Sequence, residues 1–238
     1  MKYRLDHLLV QRSMVTTRSQ AESWIKLGKV SVDGTVITKP GYFVRDDADV
    51  VLKASERFVS RAGLKLASVA EKLHVQFEDA VVLDVGSSTG GFTDYALQHG
   101  ARKVFAVDVG TEQLHPSLHD DKRISLHEKT DIRDFIPTEV PDVVVMDVSF
   151  ISLREILPHI ADIVDKQSVV VAMLKPQFEA GKHQVNKGVI KNDAMRRQIL
   201  RDFETWLRGY FVIVDKADSE VAGAKGNRER FYLLKIAK

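Results

Sequence analysis

The apolar positions along the chain follow two regimes. In residues 1–50 they come in short bursts. Leu5, Leu8 and Leu9 recur at helical spacing, and Ala21, Trp24 and Ile25 do so again before a stop at Gly28. KVSVDGTVITK then alternates around Asp33-Gly34, a hairpin pattern, and VRDDADVVLK predicts one further strand. Farther on, the runs lengthen and alternate in kind. VVLDV, KVFAV, VPDVVVMDV and SVVVAML read as buried strands, while FTDYALQ, SLREILPHIADIV and AMRRQILRDFETWL read as helices. YFVIVDKAD and ERFYLLKIA predict two more strands, paired near a sheet edge. This alternation predicts a Rossmann-like α/β domain, with a mostly parallel sheet and helices on both faces, preceded by a small α+β unit. The expected division is 1–55, a linker at 56–62, and 63–238. The helix that opens the second part carries Leu64, Leu66, Ala67, Val69, Ala70 and Leu73. Lys65 lies between these positions, and by periodicity alone it reads as an exposed helical lysine.

Composition narrows the classes. The 238 residues hold no apolar run of membrane-spanning length, and the N-terminal MKYRLDHLLVQR is not a secretory signal. There is no cysteine, which excludes disulfides, thiolate metal sites and a cysteine nucleophile; a cytoplasmic location fits. Net charge is only +2, but residues 1–45 hold eight Lys and Arg against three acids. A basic unit on a mildly acidic body suggests a module that binds a polyanion.

The most informative stretch is AVVLDVGSSTGGFTDYALQHG: a strand, a glycine turn, then a helix. Glycine lets backbone approach a ligand, and a helix start offers free N–H groups. The string Gly86-x-x-x-Gly90-Gly91 matches neither the dinucleotide fingerprint nor the Walker loop. Asp84 would repel phosphate and suits a cationic or zwitterionic ligand. D-x-G-x-x-x-G resembles the motif of class I methyltransferases, whose S-adenosylmethionine carries an amine and a sulfonium. The candidate cofactor residues are Asp84, Gly86, Ser87, Ser88, Thr89, Gly90, Gly91 and Phe92, with Asp108 and Val109 at the end of the next strand for the ribose hydroxyls. Asp131 in HEKTDIRD is a candidate for the adenine amino group. Asp84, Asp108, Asp147 and Lys175 each fall at a strand's carboxyl end, where ligands of such sheets bind.

The methyl acceptor can be narrowed further. The place of the Pro-Pro loop of amino-group methyltransferases reads Asp147-Val148-Ser149-Phe150, without proline. Enzymes acting at pyrimidine carbon commonly use a cysteine, and there is none. A hydroxyl acceptor remains. A ribose 2′-OH is a weak nucleophile that needs in-line positioning and help losing its proton, which a lysine can supply.

Two resemblances follow from these residues. Arg4-Leu5-Asp6, Arg18-Ser19 with Ala21, and Gly28-Lys29-Val30-x-Val32-x-Gly34 resemble the S-four RNA-binding domain. This implies phosphate contacts to structured RNA, with Arg4, Arg12, Arg18, Lys26 and Lys29 as candidates. Over nearly its full length, through SRAGLKL, DVGSSTGGFTD, AVDVG, DVSFISL, LKPQFEAGK and GNRERF, the chain resembles the TlyA (hemolysin A) family of rRNA 2′-O-methyltransferases, whose catalytic domain is FtsJ-like. The resemblance implies a Lys-Asp-Lys-Glu tetrad on Lys65, Asp147, Lys175 and Glu229, S-adenosylmethionine as cofactor, and a cytidine of large-subunit rRNA or ribosomal subunits as target. It implies no metal and no membrane, and leaves the oligomeric state open. The rival readings are a non-enzymatic RNA-binding protein and, from the family's older name, a hemolysin.

Overall fold

A computed structural model of the chain describes residues 2–15, 18–26, 28–52, 58–181, 189–190, 192–221, 223 and 226–237. It divides into two compact units, Met1–Arg61 and Ala62–Lys238.

The first unit contains β1 (Lys2–Arg4), α1 (Leu5–Gln11), α2 (Arg18–Lys26), β2 (Val30–Val32), β3 (Thr35–Val36), β4 (Phe43–Arg45) and β5 (Val50–Leu52). Leu5, Leu8 and Leu9 of α1 and Ala21, Trp24 and Ile25 of α2 are buried, the stripes their spacing predicts. The hairpin β2–β3 turns at Asp33 and Gly34, both at positive φ (47° and 78°), as its tight turn demands. The single strand expected from VRDDADVVLK is two. β4 pairs antiparallel with β1, β5 pairs with β2, and Arg45–Asp49 between them carries three aspartates that favour a turn. Asp6 of α1 is fully buried. It accepts hydrogen bonds from Arg4 Nε (3.0 Å) and Nη2 (2.8 Å), Arg18 Nε (3.0 Å) and the His7 N–H (3.0 Å). Burial alone would raise its carboxyl; the two guanidinium groups outweigh that and hold it at about 2.

α3 (Arg61–Ala70) starts at the last residue of the first unit and otherwise belongs to the second. The second unit continues through β6 (Val81–Val85), α4 (Gly91–Gln98), β7 (Lys103–Val107), β8 (Ile124–His127), β9 (Val143–Met146), α5 (Leu157–Ile163), β10 (Val169–Leu174), α6 (Pro176–Glu179), α7 (Asp193–Leu207), β11 (Phe211–Asp218) and β12 (Arg230–Ile236). The seven strands form one sheet in the order β11-β12-β10-β9-β6-β7-β8. The run from β10 to β8 is parallel, β12 is antiparallel to β10, and β11 is antiparallel to β12 and so points the same way as the parallel run. Every residue of β6 and β9 is buried, as in a parallel sheet covered on both faces. Strand order reverses direction between β6 and β9, the switch point at which such sheets bind ligands. Asn192 caps α7, its side chain accepting from the N–H groups of Ala194 and Met195. The helix expected from SLREILPHIADIV begins late: residues 153–155 form a tighter turn, and Pro158 sits in the first turn of α5. No described helix is long and apolar enough to cross a membrane.

Candidate active site

Four parallel strands deliver their charged residues to one rim. Asp84 is the penultimate residue of β6, and Asp108, Asp147 and Lys175 directly follow β7, β9 and β10. The glycine turn after β6 closes this rim. Gly86 takes φ +80°, and a Cβ there would lie 3.1 Å from the Asp147 carbonyl oxygen. Gly90 takes φ +86° as it enters α4, and its missing Cβ leaves room for Leu114 and Leu118. Both positions therefore require glycine for conformation and for space.

Two neighbouring hollows share this turn. A cleft of about 460 Å³ is lined by Gly86, Ser88, Asp108, Val109, Asp131 and Phe150 among others. A smaller hollow of about 150 Å³ is lined by Asp84, Gly86, Ser87, Ser88, Thr89, Phe92, Asp147, Ser149 and Lys175. Nine of the eleven candidate cofactor residues thus border one or both. Gly90 and Gly91 do not; they form the turn of backbone beneath. Asp108 accepts from the Ser88 N–H (2.8 Å) and the Gly110 N–H (2.7 Å), which ties the two ligand-facing turns together. Asp131 is bound by Arg133, which holds its carboxyl at about 2.

Asp84 is fully buried and accepts one hydrogen bond on Oδ2, from Thr93 Oγ1 at 2.6 Å; its Oδ1 has none. Burial, with the nearby charges of Asp147 and Asp108, pushes its carboxyl up to about 7. The Ser87 Oγ beside it is also buried without a hydrogen bond. An orphaned carboxylate oxygen and an orphaned hydroxyl on one hollow are what a cationic, hydrogen-bonding ligand would satisfy. S-adenosylmethionine fits this donor set: an ammonium for Asp84, ribose hydroxyls for Asp108, and an adenosine-sized cleft alongside.

The four tetrad residues form two ion pairs. Lys175 Nζ lies 2.6 Å from Asp147 Oδ1 and donates to Ser149 Oγ at 2.7 Å, all on the small hollow. Lys65 Nζ lies 2.6 Å from Glu229 Oε2, with both side chains almost fully enclosed. The expectation of an exposed Lys65 is overturned. It sits with Leu66, Val69 and Ala70 on the buried face of α3, 6% exposed, because a carboxylate waits there. Strand pairing explains the carboxylate: Leu174 faces Arg230, so the register continued by one residue sets Glu229 across from Lys175.

Sequence reasoning missed Ser149, the second partner of Lys175, and Glu179, whose buried carboxylate receives the loop after β9. Neither has a sequence signal, since each acts on residues of another segment. In the first unit, Arg4 and Arg18 are bound to Asp6, and Arg12 donates to the carbonyls of Asp46 (2.6 Å) and Ala48 (3.1 Å). Lys29 is exposed, and the side chain of Lys26 lies outside the described residues.

Comparison with known proteins agrees with this geometry. The S4 domain matches residues 4–51, and the FtsJ-like methyltransferase model matches residues 58–236. The chain belongs to the TlyA family of FtsJ-like methyltransferases. It is 40% identical over 242 residues to the 16S/23S rRNA (cytidine-2′-O)-methyltransferase TlyA of Mycobacterium tuberculosis, covering 98% of this chain and 89% of that one. It is 40% identical over 181 residues to the 23S rRNA (cytidine-2′-O)-methyltransferase TlyA of Campylobacter jejuni, covering 75% and 71%. Among solved structures, a protein of Streptococcus thermophilus provisionally named a hemolysin superposes with a TM-score of 0.77 at 36% identity, over 99% of this chain and 88% of that one. Methyltransferases of this family use S-adenosylmethionine.

Proposed function

We propose that the chain is an S-adenosylmethionine-dependent ribose 2′-O-methyltransferase of ribosomal RNA, acting on a cytidine of the large subunit in the cytoplasm. Residues 1–55 hold the RNA, 56–62 link, and 63–238 carry the chemistry. The observation that carries this reading is Lys175, paired with Asp147 and Ser149 on the same hollow as the orphaned Asp84. Both relatives are named for cytidine 2′-O-methylation of rRNA, and the S4 match supports an RNA substrate.

The cofactor supplies an electrophilic methyl group. Asp84 and the glycine turn hold its charged end, and Asp108 and Val109 border the place of its ribose. Lys175 Nζ would take or relay the 2′-OH proton, freeing that oxygen for the methyl group that a bound cofactor would present. Asp147 and Ser149 aim its Nζ. Lys65 and Glu229 satisfy each other and stiffen the wall behind it.

The test is methyl transfer to ribosomal subunits with the modified nucleotide mapped. Lys175→Ala is expected to keep S-adenosylmethionine affinity within about threefold and to lose transfer by about a thousandfold. Near-normal transfer by this variant would sink the role of Lys175. Methylation of a base atom would sink the hydroxyl acceptor.

A further inference from the structure

The loop after β9 and the short helix after β10 meet at one carboxylate. Glu179 ends α6, and its side chain is 1% exposed. Its Oε2 accepts from Ser152 Oγ at 2.6 Å, and its Oε1 accepts from the Leu153 N–H at 2.7 Å. Arg154 lies 3.6 Å from the same carboxylate and rests over the Trp206 and Phe203 rings of α7 at 5.5 and 5.9 Å. A second bridge joins the same two segments: the Phe150 and Phe178 rings stand 5.3 Å apart.

From this geometry we infer that Glu179 is a positioning residue for methyl transfer, locking the segment that carries Asp147 and Ser149 to the segment that carries Lys175. The inference rests on the function proposed above. Lys175 has four rotatable bonds and two partners on a loop that has no strand pairing beyond Asp147. Its Nζ keeps one direction only if that loop keeps its place relative to Lys175 itself. The loop begins at Asp147, Glu179 receives it at Ser152 and Leu153, and Glu179 stands four residues after Lys175. The clamp is therefore short and closes directly on the residues it must align.

The clamp depends on shape more than on charge. Each carboxylate oxygen takes one neutral donor at hydrogen-bond distance, Arg154 stands farther off at 3.6 Å, and burial outweighs these partners and pushes the Glu179 carboxyl up, so a neutral group is not foreign to the site. A glutamine would accept the Leu153 N–H on its carbonyl and donate its amide to Ser152 Oγ. Alanine would do neither.

The experiment compares E179A and E179Q with the full-length wild type in methyl transfer to ribosomal subunits, together with melting temperature. E179A is expected to lose kcat by about 30-fold or more per folded molecule, with KM for the subunits within about threefold; E179Q is expected to stay within about threefold of wild type. A double-mutant cycle adds the readout that a merely structural role would not move: in an S149A background E179A costs much less than in the wild type, because both act on the aim of Lys175. Wild-type kcat in folded E179A, or full additivity with S149A, overturns the inference. If E179A does not fold, S152A is the test, with a loss of about three- to tenfold expected and an unchanged kcat overturning it. Failure of the wild type to methylate subunits overturns the functional reading itself, before any variant is compared.

Discussion

Asp6 and Asp84 are both fully buried aspartates, one in each unit, and they are opposites. Asp6 has every need met: two arginines and a backbone N–H close around it, and its carboxyl is held at about 2. Asp84 has one hydroxyl donor, a free oxygen and two acids nearby, and its carboxyl is pushed up to about 7. A buried charge whose partners come from its own unit is scaffold. One whose partners are missing is a site, and the difference lies in what the fold leaves undone rather than in the residue.

The sharpest break of this comparison is to delete each acid. Asp6→Ala removes the acceptor shared by Arg4, Arg18 and the His7 N–H; because both guanidinium groups reach solvent, it is expected to destabilise the first unit by only about 1–2 kcal/mol, read by denaturant unfolding, while S-adenosylmethionine affinity is unchanged. Asp84→Asn is expected to do the reverse. Affinity for S-adenosylmethionine falls by about 100-fold in calorimetry, while the melting temperature rises by about 2–4 °C, because the neutral amide removes an uncompensated charge. Equal loss of stability in both variants would erase the distinction.

Titration sharpens it next. Asp6 is lowered, so its contribution to stability is present above the ordinary carboxylate value and is lost as pH falls towards about 2. Asp84 is raised, so its contribution is largest in acid and is lost as pH rises towards about 7. For a cationic ligand the sign reverses again: Asp84 must be ionised to meet an ammonium. Affinity for S-adenosylmethionine is therefore expected to rise by up to about tenfold per pH unit below 7 and then level, with a proton released on binding. Calorimetry in two buffers of different ionisation enthalpy measures that proton, and Asp84→Asn removes it. The smallest effect belongs to Thr93→Val. Losing the hydroxyl donor to Asp84 moves that plateau to higher pH and weakens binding at pH 7 by about threefold.

Much of the second unit was legible because its signals are local. A strand, a glycine turn and a helix lie within one short stretch, and each acid stands beside the strand that presents it. What could not be read comes from pairing across distance. β1 and β4 are three residues each and gain their identity only from each other. Arg4 and Arg18 are candidate phosphate contacts, and nothing in their spacing reveals that both also pair with Asp6. Lys65 read as exposed because its carboxylate partner is far along the chain, beside a strand whose place next to β10 the periodicity does not specify. Ser149 and Glu179 were invisible for the same reason.

The sheet order carries one more consequence, for how the protein is made. β12 leaves the ribosome after β11 yet lies inside it, between β11 and β10. A nascent chain that has emerged only as far as β11 has an open edge on β10, and Lys65 has no carboxylate to enclose it. The turns after β6 and β7 that line the two hollows belong to the earlier part of synthesis, whereas Lys65 meets its carboxylate partner only when residues 229–236 arrive. A chain without β12 thus exposes the unpaired edge of β10, and an exposed strand edge is a template for aggregation.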